Sequence, residues 1–267
     1  HQMVGIDVAA EPLVAVVVRE ADLHVVQLGA VAQAAHGQAV DLVAFLEAVA
    51  GELEAQIRRQ GLDCRIALLA SPPVLAEERR VVEAFLQLTP EVDVVVSVGG
   101  GTLTDIARFL AHRGKRAFVA VPTAASVDGF YSIGAPLILR GVKRTVLCRP
   151  PEAIFADTEV LSGAPARLGA AGFGDLLGKL TSWADWNLGR ILWNEPFDQK
   201  IAATLFSVAQ KTVQASERMR RPTEETQKLL IDLLIVSGGC MLDAGESRPA
   251  SGAEHHLSHY WEMSFLS

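Results

Sequence analysis

The chain has little cysteine, no long apolar run and no surplus of basic charge. Its 267 residues include only three cysteines, Cys64, Cys148 and Cys240, spaced far apart. No two of them have metal-ligand spacing and an odd number cannot pair off, which argues against a disulfide framework and for a reducing compartment. No uninterrupted apolar segment reaches about 18 residues, the length that crosses a bilayer as a helix. Lys and Arg total 24 against 31 Asp and Glu, a net charge of -7. That balance argues against a general electrostatic footprint for nucleic acid, while a local cationic patch for phosphate stays open. No signal peptide is evident at the start, where His1-Gln2-Met3 reads as a tag remnant, and no internal repeat or low-complexity linker stands out. The expectation is a cytoplasmic protein with no membrane span and no nucleic-acid partner.

What the chain does have is an apolar content of 50% and a charged content of 21%, enough core for one large domain or two modest ones. Its most informative stretch is Val94-Val95-Val96-Ser97-Val98-Gly99-Gly100-Gly101-Thr102-Leu103-Thr104-Asp105. A β-branched run passes through three glycines into a helix expected to begin near Leu103. Such a turn lets backbone N–H groups approach an anion at the positive end of the helix dipole, so it suits a phosphate.

Apolar runs at Val4 to Val8, Leu13 to Val18 and Leu23 to Leu28 predict two or three strands. Helical spacing over Val40 to Arg59, with Gly61 as a stop, is followed by a strand from Arg65 to Ala70. A helix from Glu77 to Leu88 and a strand from Val92 to Val98 come next. The alternation up to about residue 122 predicts a parallel α/β sheet. After about residue 165 helix signals dominate, including Lys200 to Arg220 and Thr223 to Met241, with Thr223 a cap candidate behind Pro222. The predicted architecture is an α/β nucleotide-binding domain over residues 1–165, its first 70 residues atypical, and an all-helical domain over 166–267.

Four polar elements follow the glycine turn. In Pro122-Thr123-Ala124-Ala125-Ser126-Val127-Asp128-Gly129, a strand end opens into a loop beside the turn, where a parallel sheet binds ligands. Thr123 and Ser126 could bond a cofactor and Asp128 a substrate hydroxyl; ordinary turn and capping chemistry is the alternative. Arg140-Gly141-Val142-Lys143-Arg144-Thr145 groups three cations, either for a phosphate or as a solvated hairpin turn. Gly172-Phe173-Gly174-Asp175-Leu176-Leu177-Gly178-Lys179 places a carboxylate near a predicted helix start, as a ligand or as a plain N-cap. In Ser251-Gly252-Ala253-Glu254-His255-His256-Leu257-Ser258-His259-Tyr260, His255 and His259 stand at i and i+4 and share a helix face, while His256 points elsewhere. Such a pair can hold a divalent metal, or divide between metal and substrate.

Taken with Ser247-Arg248-Pro249-Ala250, these segments resemble the sn-glycerol-1-phosphate dehydrogenase family, within the superfamily of iron-type alcohol dehydrogenases, glycerol dehydrogenases and dehydroquinate synthases. The resemblance covers residues from about 74 to the end. It implies a dehydroquinate synthase-like fold and a homo-oligomer that interconverts sn-glycerol 1-phosphate, or a related polyol phosphate, with its ketone. It implies that Gly99, Gly100, Gly101, Thr102 and Asp105 bind NAD or NADP, with Thr123, Ser126 and Ser132 completing that site. Asp128 and His259 would contact substrate, Lys143 and Arg144 its phosphate. Asp175 and His255 would ligate a divalent metal, zinc ahead of nickel or iron. The family's third ligand, a histidine in a downstream His-Gly segment, is expected past Ser267, so the helical domain is expected to be incomplete. Residues 4–70 are faintly similar to the first subdomain of actin-like pilus-assembly ATPases. A cyclase using NAD transiently, and a non-catalytic protein on a decayed scaffold, are the alternatives.

Overall fold

The computed structural model describes residues 13–18, 42–69 and 75–265. A five-stranded sheet runs in the order β2-β1-β3-β4-β7. Its strands are β1 (Leu13–Val18), β2 (Cys64–Leu69), β3 (Val94–Gly99), β4 (Ala117–Pro122) and β7 (Ala153–Ile154). β3 pairs parallel with β4, and β4 with β7, but β1 runs antiparallel to both β2 and β3. β2, β3, β4 and β7 therefore all run in one direction, as the alternation up to residue 122 predicts, and β1 is inserted against them. An apolar run such as Leu13–Val18 carries no mark of direction, and only connectivity sets it. The strands expected at Val4 to Val8 and Leu23 to Leu28 lie outside the described residues.

β3 is buried along its whole length because helices cover both faces of the sheet. Val94, Val96 and Val98 meet Val49, Ala50, Leu53 and Ile57 of α1 (Leu42–Arg59) on one side. On the other, Val95 meets Ala107 and Ala111 of α3 (Gly101–Gly114), and α2 (Glu78–Gln87) closes over Ala67 and Leu69 of β2. Alternate side chains of one strand thus serve two cores, which is why the run reads as continuously apolar.

β5 (Gly134–Leu139) and β6 (Val142–Leu147) form a separate hairpin. Arg140 and Gly141 make its turn with φ of 54° and 75°, the double left-handed geometry of tight hairpins. The cation cluster thus lies on a hairpin, Arg140 in its turn and Lys143 and Arg144 on β6. From Thr158 on, every described regular element is a helix: α4 (Thr158–Gly163), α5 (Ala166–Trp193), α6 (Gln199–Gln214), α7 (Ser216–Met219), α8 (Glu224–Ala244) and α9 (Ala253–Phe265). Asp157, Asp198 and Thr223 cap α4, α6 and α8 through side-chain oxygens that accept backbone N–H bonds.

One apolar cluster joins the two halves. Ala125 and Phe130, in the loop after β4, are fully buried with Leu161 of α4, Leu176 of α5, Val208 of α6 and Leu230, Ile231 and Leu234 of α8. Two helix glycines let this loop approach backbone to backbone. A Cβ on Gly172 of α5 would press into the Ala125 carbonyl oxygen, and one on Gly238 of α8 into the Asp128 carbonyl oxygen.

Candidate cofactor and substrate site

β3 ends at Gly99, Gly100 caps α3, and the helix starts at Gly101, two residues earlier than expected. The cap residue has no side chain to spend on the first N–H groups, which leaves them for a ligand. The second loop lies directly against this turn. Thr123 donates its N–H to the Gly99 carbonyl at 3.3 Å, and a Cβ on Gly101 would stand 3.0 Å from Val127. Thr123, Ser126, Asp128 and Ser132 are all buried.

Arg108 fixes that loop from below. It is fully buried on α3 and donates to the carbonyls of Gly129 (2.5 Å), Phe130 (3.1 Å) and Gly134, and to Ser132 Oγ at 3.3 Å. Burial holds its pKa below the ordinary arginine value. Ser132, assigned to the cofactor by resemblance, also donates within the loop, reaching the carbonyls of Gly129 (3.2 Å) and Gly134 (3.3 Å). Asp105 lies 3.4 Å from Arg108 and its carboxyl is pushed up to about 7 by burial, against the opposing pull of Arg108 and Lys143. Lys143 thus acts on Asp105. Lys143 and Arg144 are neighbours in a regular strand and leave it on opposite sides.

Asp175 is interior to α5, nine residues past its first, where a helix start was expected. The glycines that suggested a start belong inside the helix, Gly172 because of its contact with the loop. Asp175 Oδ2 accepts the Asp128 N–H at 2.8 Å, and Oδ1 lies 2.7 Å from Lys179 Nζ. The same ammonium lies 2.8 Å from Asp128 Oδ2 and donates to the Ala250 carbonyl at 2.9 Å. Ser237 of α8 donates to Asp128 Oδ2 at 2.8 Å. Burial works against the charged form of Lys179, but the two carboxylates more than offset it and raise its pKa. Burial, then the Asp128 charge, pushes Asp175 up to about 6 despite Lys179.

His255 enters from α9. Asp185 of α5 accepts the Ala253 N–H at 2.7 Å, and Gly252 sits so close to Ser182 that a Cβ there would stand 2.8 Å from its backbone. These contacts seat the start of α9 beside the middle of α5. Burial first, then the charges of His259 and Lys179, lower the His255 pKa to about 4, so the imidazole is neutral at physiological pH. The His255 and His259 rings are 4.3 Å apart, on one face as the spacing predicts, while His256 is 6.4 Å from His255. A neutral imidazole and a carboxylate are the donor chemistry a divalent transition ion takes, so the pair fits such an ion. Among the described residues no three His, Cys, Asp or Glu side chains are grouped to hold one.

Lys179, Arg108 and Ser237 carry this geometry and were not singled out from the sequence. Lys179 follows Asp175 by four residues, the acid-before-base helical spacing. Arg108 interrupts the apolar Ile106-Ala107 and Phe109-Leu110, and Ser237 precedes paired glycines in an apolar helix.

A glycine turn at a strand's C-terminal edge, a buried polar loop beside it and a helical half supplying carboxylate and imidazole make up an α/β-plus-helical fold with a candidate anion cradle. The chain belongs to the iron-containing alcohol dehydrogenase family, whose model matches residues 22–165. The family therefore begins well before residue 74, within the segment that seemed similar to pilus-assembly ATPases. Glycerol-1-phosphate dehydrogenase [NAD(P)+] of Geobacillus thermodenitrificans is 45% identical over 203 residues, 76% of this chain and 50% of the relative. The protein of that name from Halalkalibacterium halodurans is 43% identical over 223 residues, 82% and 56% respectively. The chain spans about half the length of the curated relatives it matches. Among solved structures, an iron-containing alcohol dehydrogenase from Corynebacterium glutamicum superposes with a TM-score of 0.60 at 17% identity, covering 80% of this chain and 58% of that one. A probable glycerol dehydrogenase from Sinorhizobium meliloti gives 0.57 at 22%, covering 67% and 53%. Both show the fold. No described helix is long and apolar enough to cross a membrane.

Proposed function

We propose that this chain carries the cofactor cradle and most of the substrate site of a glycerol-1-phosphate dehydrogenase, moving a hydride between NAD(P) and the C2 carbon of sn-glycerol 1-phosphate or dihydroxyacetone phosphate. The observation that carries the reading is the convergence of Asp128, Asp175 and Lys179, with His255 close enough to feel the charges of Lys179 and Asp128, beside the Gly99–Gly101 turn. The names of the relatives supply the substrate. Residues 1–165 form the cofactor domain in this reading and 166–267 the helical one. In this reading the protein is a homo-oligomer and works in the cytoplasm, a compartment in which its three cysteines stay free.

In this reading the free N–H groups at Gly100 to Thr102 hold the cofactor pyrophosphate, and Thr123 and Ser126 line the next part of its path. Asp128 is fixed by Ser237 and Lys179, so its carboxylate can orient a substrate hydroxyl without reorganising. The His259 ring, 4.3 Å from His255, is a second substrate contact. Asp175 and His255 would hold a divalent metal, zinc by our assignment over nickel or iron, and that ion supplies Lewis acidity at the reacting oxygen. Buried loop residues keep water from the transfer path.

The test follows NADH and NADPH absorbance with dihydroxyacetone phosphate after reconstitution with zinc, nickel or ferrous ion. Oxidation that yields sn-glycerol 1-phosphate supports the reading. Tight NAD(P)H binding with no turnover under any of the three ions overturns it in favour of a non-catalytic role.

A further inference from the structure

Away from this site, α5, α7 and α8 line an open cavity of about 310 Å³, within the size range of small-molecule sites. Its floor is one face of α5: Ala166, Gly169, Ala170 and Phe173 recur at helical spacing. Phe173 and Asp175 are two residues apart, about 200° around the helix. The cavity therefore opens on the side of α5 opposite the Asp175–Lys179 pair and does not belong to the site described above.

The remaining walls are Met219 and Arg220 with Ser216, and Thr226, Gln227 and Leu230 of α8 beside Pro222. The Thr226 hydroxyl is committed to the helix cap, donating to the Arg221 carbonyl at 2.7 Å and accepting from the Thr223 N–H at 2.9 Å. Gln227 is different. It is only 6% exposed, its amide nitrogen would lie 3.3 Å from a Cβ on Gly169 in the cavity floor, and among the described residues its side-chain amide has no hydrogen-bond partner. The amide lines the cavity, where solvent or a ligand can supply the partners the protein does not. Gly169 leaves open the space in front of it.

Arg220 alone among the lining residues is charged. Its contact to Glu217 is 3.4 Å between side chains 76% and 83% exposed, a pairing too solvated to hold the guanidinium away from another anion. The cavity thus has an apolar body, one unused amide inside and one cation on its wall. We propose that it is a second ligand site, for a small amphipathic carboxylate. The head group accepts from Arg220 and the Gln227 amide, and the hydrocarbon lies among Ala170, Phe173, Met219 and Leu230.

The probe is octanoate, titrated calorimetrically into the full chain. The expected result is saturable binding of one equivalent, weakened at least about tenfold by Gln227→Leu and by Arg220→Ala, as loss of a hydrogen bond to a charged group implies. Ala170→Trp, which fills the cavity, should abolish binding. NADH affinity should be unchanged in all three, because the site lies on the other face of α5. Gln227→Leu should melt no lower than the parent, and Arg220→Ala alters an exposed side chain, so at least one variant reports on folded protein. Absence of saturable binding, affinity in the two polar variants equal to that of the parent, or octanol binding as tightly as octanoate would overturn the proposal.

Discussion

Lys179 Nζ stands 2.7 Å from Asp175 Oδ1 on the same helix, and reaches Asp128 Oδ2 across the loop at 2.8 Å. Lys179 is 1% exposed, so the three partners of its ammonium offset the desolvation. It binds together the loop after β4, the middle of α5 and the segment before α9, each remote from the others in sequence.

Removing that cation should cost stability out of proportion to one contact. Lys179→Met leaves two buried carboxylates facing each other, and breaking a buried ion pair from one side costs about 3–5 kcal/mol. Urea unfolding at neutral pH measures it. A loss below about 1 kcal/mol would mean that water or a loop shift already screens the carboxylates.

The two glycines near Asp175 should respond in opposite directions. Gly172→Ala drives a methyl into the Ala125 carbonyl, so it should destabilise by about 1–3 kcal/mol, the usual cost of overpacking. It should also raise the KM for cofactor by displacing Thr123 to Asp128. Gly174→Ala meets nothing within 4 Å, and should stabilise by up to about 1 kcal/mol through helix propensity alone. Thermal melts of the pair decide it, and similar shifts in both would show that the loop does not press on α5.

Acid sensitivity should divide between opposing groups. The folded pKa of His255 is about 4 against an ordinary imidazole value of 6.5, so the unfolded state binds more protons in that window. His255 therefore makes stability fall as pH drops from 6.5 towards 4, by up to about 1.4 kcal/mol per pH unit. Asp175, raised to about 6, does the reverse, since its folded form holds the proton longer and stability declines as pH rises through 6. The two slopes partly cancel in the parent. His255→Gln should expose the carboxylate slope alone, so that the stability difference between parent and variant changes steadily from pH 4 to 6.5. A pH-independent difference in urea unfolding would show that His255 titrates normally.

How much of this was legible depends on range in sequence. The glycine turn, the helix ending near Arg59, the Thr223 cap and the shared face of His255 and His259 follow from local rules, and the sequence shows them. The direction of β1 does not, because pairing is decided by connectivity. The place of Asp175 was misread because Gly172 and Gly174 look like helix breakers, when Gly172 serves a contact 47 residues back in the chain. Lys179 and Arg108 escaped notice for the same reason. A cation amid apolar residues is informative only once its partners, Asp128 or the carbonyls of Gly129 to Gly134, are seen around it.

The sharpest division of the site comes from Asp175 itself. If Asp175 and His255 hold the metal while the glycine turn holds the cofactor, Asp175→Ala should remove bound divalent ion without changing NADH affinity. The fold has reason to survive the change. Lys179 keeps Asp128 and the Ala250 carbonyl as partners, and the variant removes the carboxyl that burial already pushes to about 6. Metal content by elemental analysis and NADH binding by fluorescence, measured on one preparation, separate the two functions. Retention of stoichiometric metal in the variant would show that the ion sits elsewhere, and joint loss of metal and NADH would show that the two halves of the site are a single cooperative unit.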